Sequence, residues 1–172
     1  MIPHGPELAG RSAKEKVAEL QETLRRENAD AVLLTLLDSI AWLFDIRGGD
    51  ISHSPLVLAF ALVPARGKPS LFIDPAKISG NVRGHLKDAA ELLAPDELVG
   101  RLAVLGQKEA RVRLDPDTTP IGFAQILEAA GAKIVTGDDP CILPKAIKNK
   151  AEIEGARAAH VRDGTAMARF LA

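Results

Sequence analysis

The sequence predicts a layered α/β domain built on a mixed sheet. Three observations predict it. Strand-length apolar runs alternate with amphipathic helical patterns, and short connections join them. One pair of runs, residues 57–63 and 70–73, is separated only by a Pro- and Gly-containing turn and reads as a hairpin. A hairpin pairs antiparallel strands, so the sheet cannot be wholly parallel.

At 172 residues, with 47% apolar and 26% charged residues, the chain is long enough for one domain with a substantial core. Its net charge is −1, with no cluster of Lys and Arg, no Tyr and a single Trp. That argues against a nucleic-acid partner, which needs a basic face and aromatic platforms. The longest apolar runs are too short to cross a bilayer, and the first residues lack the basic and apolar regions of a signal peptide. No membrane partner and a cytoplasmic location are therefore the expectation. Cys141 is the only cysteine, which excludes an intrachain disulfide and a four-cysteine zinc site.

Taken in order, residues 1–10 carry two Pro and two Gly without periodicity and read as a linker. Ser12 and Glu15 form a capping box, and Ala13, Val17, Leu20 and Leu24 recur at helical spacing up to about Asn28. Residues 30–36 read as a buried strand. Asp38 is placed to cap a short helix over 39–44, which stops at Arg47, Gly48, Gly49 and Asp50. After the hairpin, Asp74 and Pro75 open a weak helical stretch to about Lys87, interrupted by Gly80 and Gly84, and residues 91–94 read as a strand. Pro95, Asp96 and Glu97 start a helix with Leu98, Leu102 and Leu105 on its face and Gly106 at its end. Residues 111–114 form a strand. A helix through Phe123, Leu127 and Ala130 ends at Gly131, and 132–135 return as a strand. Asp138, Asp139, Pro140 and Pro144 read as a stiff hinge. From Asn149 the chain reads as one long helix with Ile153, Ala156, His160, Gly164, Met167 and Leu171 along one stripe. That stripe is still apolar at the last residue, which reads as a piece of a longer protein.

Catalytic motifs are absent: no Gly-x-Ser-x-Gly, no His-Glu-x-x-His, no Gly-x-Gly-x-x-Gly. His160 and Asp163 lie one helical turn apart, but two ligands alone make a poor metal site. His85 sits on a basic face beside Arg83 and Lys87. Asp115 and Asp117 flank Pro116 as a turn does. The constellation that stands out is Trp42, Asp45, Arg47, Asp50 and His53, which gathers the sole Trp, a guanidinium, two carboxylates and an imidazole around a Gly-Gly turn. Arg47 can hold a carbonyl or carboxylate with paired donors, or it can pair with Asp50 to brace the loop while Trp42 fills the core.

The run from Leu37 through Trp42, Asp45, Arg47 and Asp50 to Ile51, followed by Ser54, Pro55 and a strand, resembles the middle domain of three-domain Xaa-Pro aminopeptidases. That aminopeptidase P group belongs to the creatinase/prolidase "pita-bread" metallopeptidase superfamily. Residues 144–149, with Glu152, Glu154, Arg157, His160 and Asp163, resemble the segment where the group enters its catalytic domain. The resemblance implies a creatinase N-terminal-domain-like mixed sheet of about six strands flanked by helices, plus a protruding C-terminal helix. It implies residues 1–10 as linker, 11–147 as the domain, and 148–172 as the start of the catalytic domain. It also implies a parent hydrolase that removes an N-terminal residue preceding proline, using two divalent ions, manganese by family habit. Their ligands, and all catalytic residues, would lie outside this chain. Trp42, Asp45, Arg47, Asp50 and His53 would then face substrate or a domain interface. The implied partners are the first and catalytic domains of the same chain and, through them, a peptide. A homodimer through the terminal helix, and a free-standing ligand-binding or interaction domain without activity, stay open beside this reading.

Overall fold

The computed structural model describes residues 1–172. The chain opens with β1 (Ile2–Pro3), α1 (Pro6–Ala9), α2 (Ala13–Arg26), β2 (Ala31–Leu34), α3 (Leu37–Leu43) and β3 (Ile46–Arg47). The hairpin β4 (Ala59–Pro64) and β5 (Ser70–Ile73) follows, then α4 (Gly80–Leu86), β6 (Glu91–Leu93) and α5 (Glu97–Gln107). It closes with β7 (Arg111–Leu114), α6 (Ile121–Ala130), β8 (Lys133–Thr136), α7 (Ile142–Ala146) and α8 (Lys150–Leu171).

Six strands form one sheet in the order β6-β5-β4-β2-β7-β8. β4 pairs antiparallel with both β2 and β5, and every other pairing is parallel. The sheet is therefore mixed, with β4 alone running against the rest, and the long links that parallel pairing demands are supplied by helices. Alternation of side chains sorts the core into two. Val32 and Leu34 point to the face covered by α2, α3 and α4, while Ala31 and Leu33 point to the face covered by α5 and α6. All four residues of β2 are buried, as expected for a strand covered on both sides. Phe44 on one face and Phe72 on the other are fully buried, each contributing about 1.5–3 kcal/mol of apolar transfer.

Asp30 sits at the entrance of β2 and ties three strands together. Its N–H donates to Arg111 O at 2.7 Å, its carbonyl accepts from Ala65 N at 2.7 Å, and its carboxylate accepts from Arg111 N at 2.8 Å.

Local chemistry explains the helix ends. The Ser12 hydroxyl accepts from Glu15 N while the Glu15 carboxylate accepts from Ser12 N, so α2 starts where its capping box predicts. Gly131 ends α6 with φ +106°, a conformation that glycine adopts without a Cβ penalty. The structure departs from the sequence expectation at four places. Residues 1–10, expected as a linker, hold a strand and a short helix. Leu36, not Asp38, is the N-cap of α3, and Asp38 instead pairs with Lys145. The two-residue β3 has no signature of its own and exists because β1 pairs with it. The hinge around residues 138–144 leads into α7, where Pro144 falls in the first turn and its missing N–H costs nothing. The apolar stripe of α8 is uncovered, with Met167 at 56% and Leu171 at 76% exposure.

Candidate functional site

The corner between α3 and β3 is built on Asp45, whose φ of +51° swings the chain out of the helix and into the strand. Asp tolerates this left-handed geometry better than most residues. Its carboxylate is buried and paired with the equally buried ammonium of Lys16 on α2. Lys16 Nζ also donates to Trp42 O at 2.6 Å and lies 4.8 Å from the centroid of the Trp42 ring. Burial pushes the Asp45 carboxyl up and the Lys16 ammonium down from their ordinary values, and the bond between them opposes both shifts. The corner is closed by His4 N donating to Asp45 O at 2.7 Å, and by a 3.0 Å hydrogen bond between His85 Nε2 and Phe44 O.

Arg47, half-buried on β3, directs Nη1 to Ala41 O at 3.0 Å and Ile46 O at 2.9 Å. It forms no ion pair with Asp45 or Asp50. Burial lowers its pKa, while the nearby charges of Asp45 and Glu152 raise it. Asp50 serves the next loop: its carboxylate meets Lys77 Nζ at 2.6 Å and accepts from Leu58 N at 2.7 Å. Those two bonds hold its carboxyl below the ordinary value. His53, at φ +60°, is exposed and shares a 2.7 Å hydrogen bond with Ser52 Oγ.

The structure thus brings Trp42, Asp45 and Arg47 together around Lys16, and leaves Asp50 and His53 on the neighbouring loop. Bracing by an Arg47–Asp50 pair does not occur; Arg47 braces through backbone carbonyls and Asp50 through Lys77. Sequence reasoning missed Lys16 and His4, and placed Glu152 only in the segment that leads out of the domain. Lys16 carried a signal, because it interrupts the apolar stripe of α2 between Ala13 and Val17. His4 carried none, being distant in sequence and brought to the corner only by the fold. Beside this corner, a groove of about 330 Å³ runs between α2 and residues 140–144, lined by Leu20, Trp42, Cys141, Leu143 and Pro144 among others.

The donor set of this chain does not fit a two-ion centre. No three His, Cys, Asp or Glu side chains converge. His160 Nδ1 bonds the Ala156 carbonyl of its own helix at 2.8 Å. The Asp115 carboxylate is occupied by Asp117 N and Asp139 N, each at 3.0 Å. Burial, followed by the neighbouring Asp139 carboxylate, pushes the Cys141 thiol well up, away from nucleophilic chemistry. No helix is long and apolar enough to cross a membrane.

Among proteins of known sequence, a probable Xaa-Pro aminopeptidase P of Ajellomyces capsulatus is 34% identical over 181 residues, covering 98% of this chain and 28% of its own length. Another from Paracoccidioides lutzii is 35% identical over 179 residues, again covering 98% of this chain and 29% of the relative. The chain thus spans less than a third of these curated relatives. Among solved structures, the X-prolyl aminopeptidase of Caenorhabditis elegans, a cytosolic enzyme with a di-nuclear active site, superposes with a TM-score of 0.90 at 28% identity. That match covers 99% of this chain and 28% of the enzyme. The Xaa-Pro dipeptidase of Bacillus anthracis shares the fold, with a TM-score of 0.61 at 18% identity over 83% of this chain and 38% of its own. The sequence model of the creatinase/prolidase N-terminal domain family matches residues 1–152, and with the six-stranded mixed sheet in place the chain belongs to that family.

Proposed function

We propose that this chain is the non-catalytic domain of a metal-dependent Xaa-Pro aminopeptidase, a hydrolase that removes an N-terminal residue preceding proline. One observation carries the reading: nearly the whole chain superposes, at a TM-score of 0.90, on just over a quarter of an X-prolyl aminopeptidase. In this reading the domain spans residues 11–147 with its lead-in, and α8 belongs to the start of the catalytic domain. Two divalent ions, manganese by expectation, would be held by ligands outside this chain, and would supply the water-activating chemistry of the hydrolysis there. The domain packs on the catalytic part, shapes the approach of the peptide and works in the cytoplasm. Trp42 and Arg47, with Asp45 behind them and Asp50 and His53 on the adjoining loop, form the surface turned toward that part or toward the peptide. The uncovered stripe of α8 fits such packing.

The test compares this chain with the full product of its gene, on peptides with proline in second position, with and without added Mn²⁺. The full product is expected to release the N-terminal residue only with metal, and the chain alone to release none. Turnover by a contaminant-free sample of the chain, or none by the metal-loaded full product, overturns the proposal. The second outcome leaves a free-standing binding domain in its place.

A further inference from the structure

The first ten residues are fastened at both ends. Met1 packs against the core beneath α2, α3 and α4, β1 pairs with β3 through Ile2 with Arg47 and Pro3 with Ile46, and Ala9 is buried. At the far end, α1 packs against α8. One side chain supplies the hydrogen bond across that contact. Asn149 is the N-cap of α8: its Oδ1 accepts from Glu152 N at 3.1 Å, and its own N–H donates to Glu152 Oε2 at 2.9 Å. The other end of the same carboxamide, Nδ2, donates to Ala9 O at 2.7 Å. That carbonyl is one of those the last turn of α1 leaves without a helical partner. Asn149 therefore caps the start of α8 and the end of α1 together, across 140 positions of sequence.

Two further observations converge on this joint. Gly10 ends α1 at φ +70°, and a Cβ there would fall on the Asn149 carboxamide, so glycine is required by both angle and space. Glu152, in the first turn of α8, lies within electrostatic range of Lys16 and Arg47.

We infer that residues 1–10 are a strap that fixes the direction in which α8 leaves the domain, with Asn149 as its fastening residue. The first turns of α8 then move with the sheet as one body, and the junction at residues 147–149 is not a free hinge. This stands independently of the catalytic reading, since it concerns only contacts inside this chain.

Hydrogen exchange on the chain itself tests it. Asn149→Asp keeps an excellent cap for α8 but replaces the donor facing Ala9 O with a second acceptor; Asn149→Ser also keeps a capping oxygen, adds no charge, and removes the amide donor by shortening the side chain. In both, the amides of Leu8, Ala9 and Gly10 are expected to exchange about tenfold faster, the scale of one tertiary hydrogen bond, while peptides of α2 and β2 keep their protection. Gly10→Ala should give the same pattern. If the two Asn149 variants leave residues 1–10 as protected as in the parent, or the parent exchanges there like an open peptide, the strap does not exist.

Discussion

Asp45 and Asp50 stand five residues apart in one loop system, and each is paired with a lysine, yet their settings are opposite. Asp45 and Lys16 are about 3% and 2% exposed, while the Asp50 and Lys77 side chains keep 21% and 27% of their surface. Burial raises the Asp45 carboxyl, whereas hydrogen bonds from Lys77 and Leu58 N lower that of Asp50. The same residue type thus anchors a core corner in one place and trims a surface loop in the other. Which role it plays depends on the water left around the pair, not on the partner's charge.

The largest effect should come from breaking the inner pair on one side. Lys16→Met is expected to destabilise the fold by about 3–5 kcal/mol, because Asp45 is left buried and unpaired. Adding Asp45→Asn should restore much of the loss, since a neutral amide suits both the left-handed turn and the apolar setting. Chemical denaturation of both variants checks this. A double variant no more stable than the single one would show that the corner depends on the charges themselves.

Arg47 comes next. Arg47→Ala removes two hydrogen bonds to carbonyls and should cost about 1.5–3 kcal/mol of stability, read from denaturant midpoints. In the full gene product, a bracing role leaves kinetics nearly normal in whatever stays folded. A substrate role adds a fall in kcat/KM of at least about tenfold, some 1.4 kcal/mol, in the folded fraction.

The smallest effect is expected at Asp50, where Asp50→Asn should cost no more than about 1 kcal/mol. Its pH dependence sharpens the contrast. A lowered folded pKa gives stability that is present above the ordinary value of 3.8 and is lost as pH falls through the folded value. A raised one, as at Asp45, gives stability that is present below 3.8 and is lost as pH climbs through the folded value. Relative to the parent, Asp50→Asn should therefore lose ground as pH rises from about 3 to 6, while Asp45→Asn gains it. Parallel slopes for the two variants would remove the distinction between them.

Much of this architecture is legible in the sequence because local chemistry and tertiary structure agree. Ser12 with Glu15, the apolar run of β2, the turn between β4 and β5, and Gly131 each announce an element that packing then keeps. What escaped has a common cause. β1, β3 and α1 are two to four residues long, too short for any periodicity, and exist only through partners far along the chain. The candidate site was half legible. Trp42, Asp45 and Arg47 do meet, but the lysine that organises them comes from a helix whose pattern reads as structural. Asp50 and His53 are neighbours in sequence and not in chemistry.

The corner at Asp30 bears on how this protein could vary. A strand buried on both faces carries no alternation of polar and apolar residues, so sliding β2 by one position would merely exchange Ala31 and Leu33 for Val32 and Leu34 among aliphatic neighbours. Oiliness alone cannot tell those alignments apart. The three bonds of Asp30 can, because a slip would strand its carboxylate away from Arg111 N and its backbone away from Ala65 and Arg111. A library that shuffles aliphatic residues through positions 31–34 should then return many sequences that still align, provided the aspartate stays. Drift in the middle of the sheet is tolerated, and the freedom to drift is granted by one polar residue at the entrance of an interior strand.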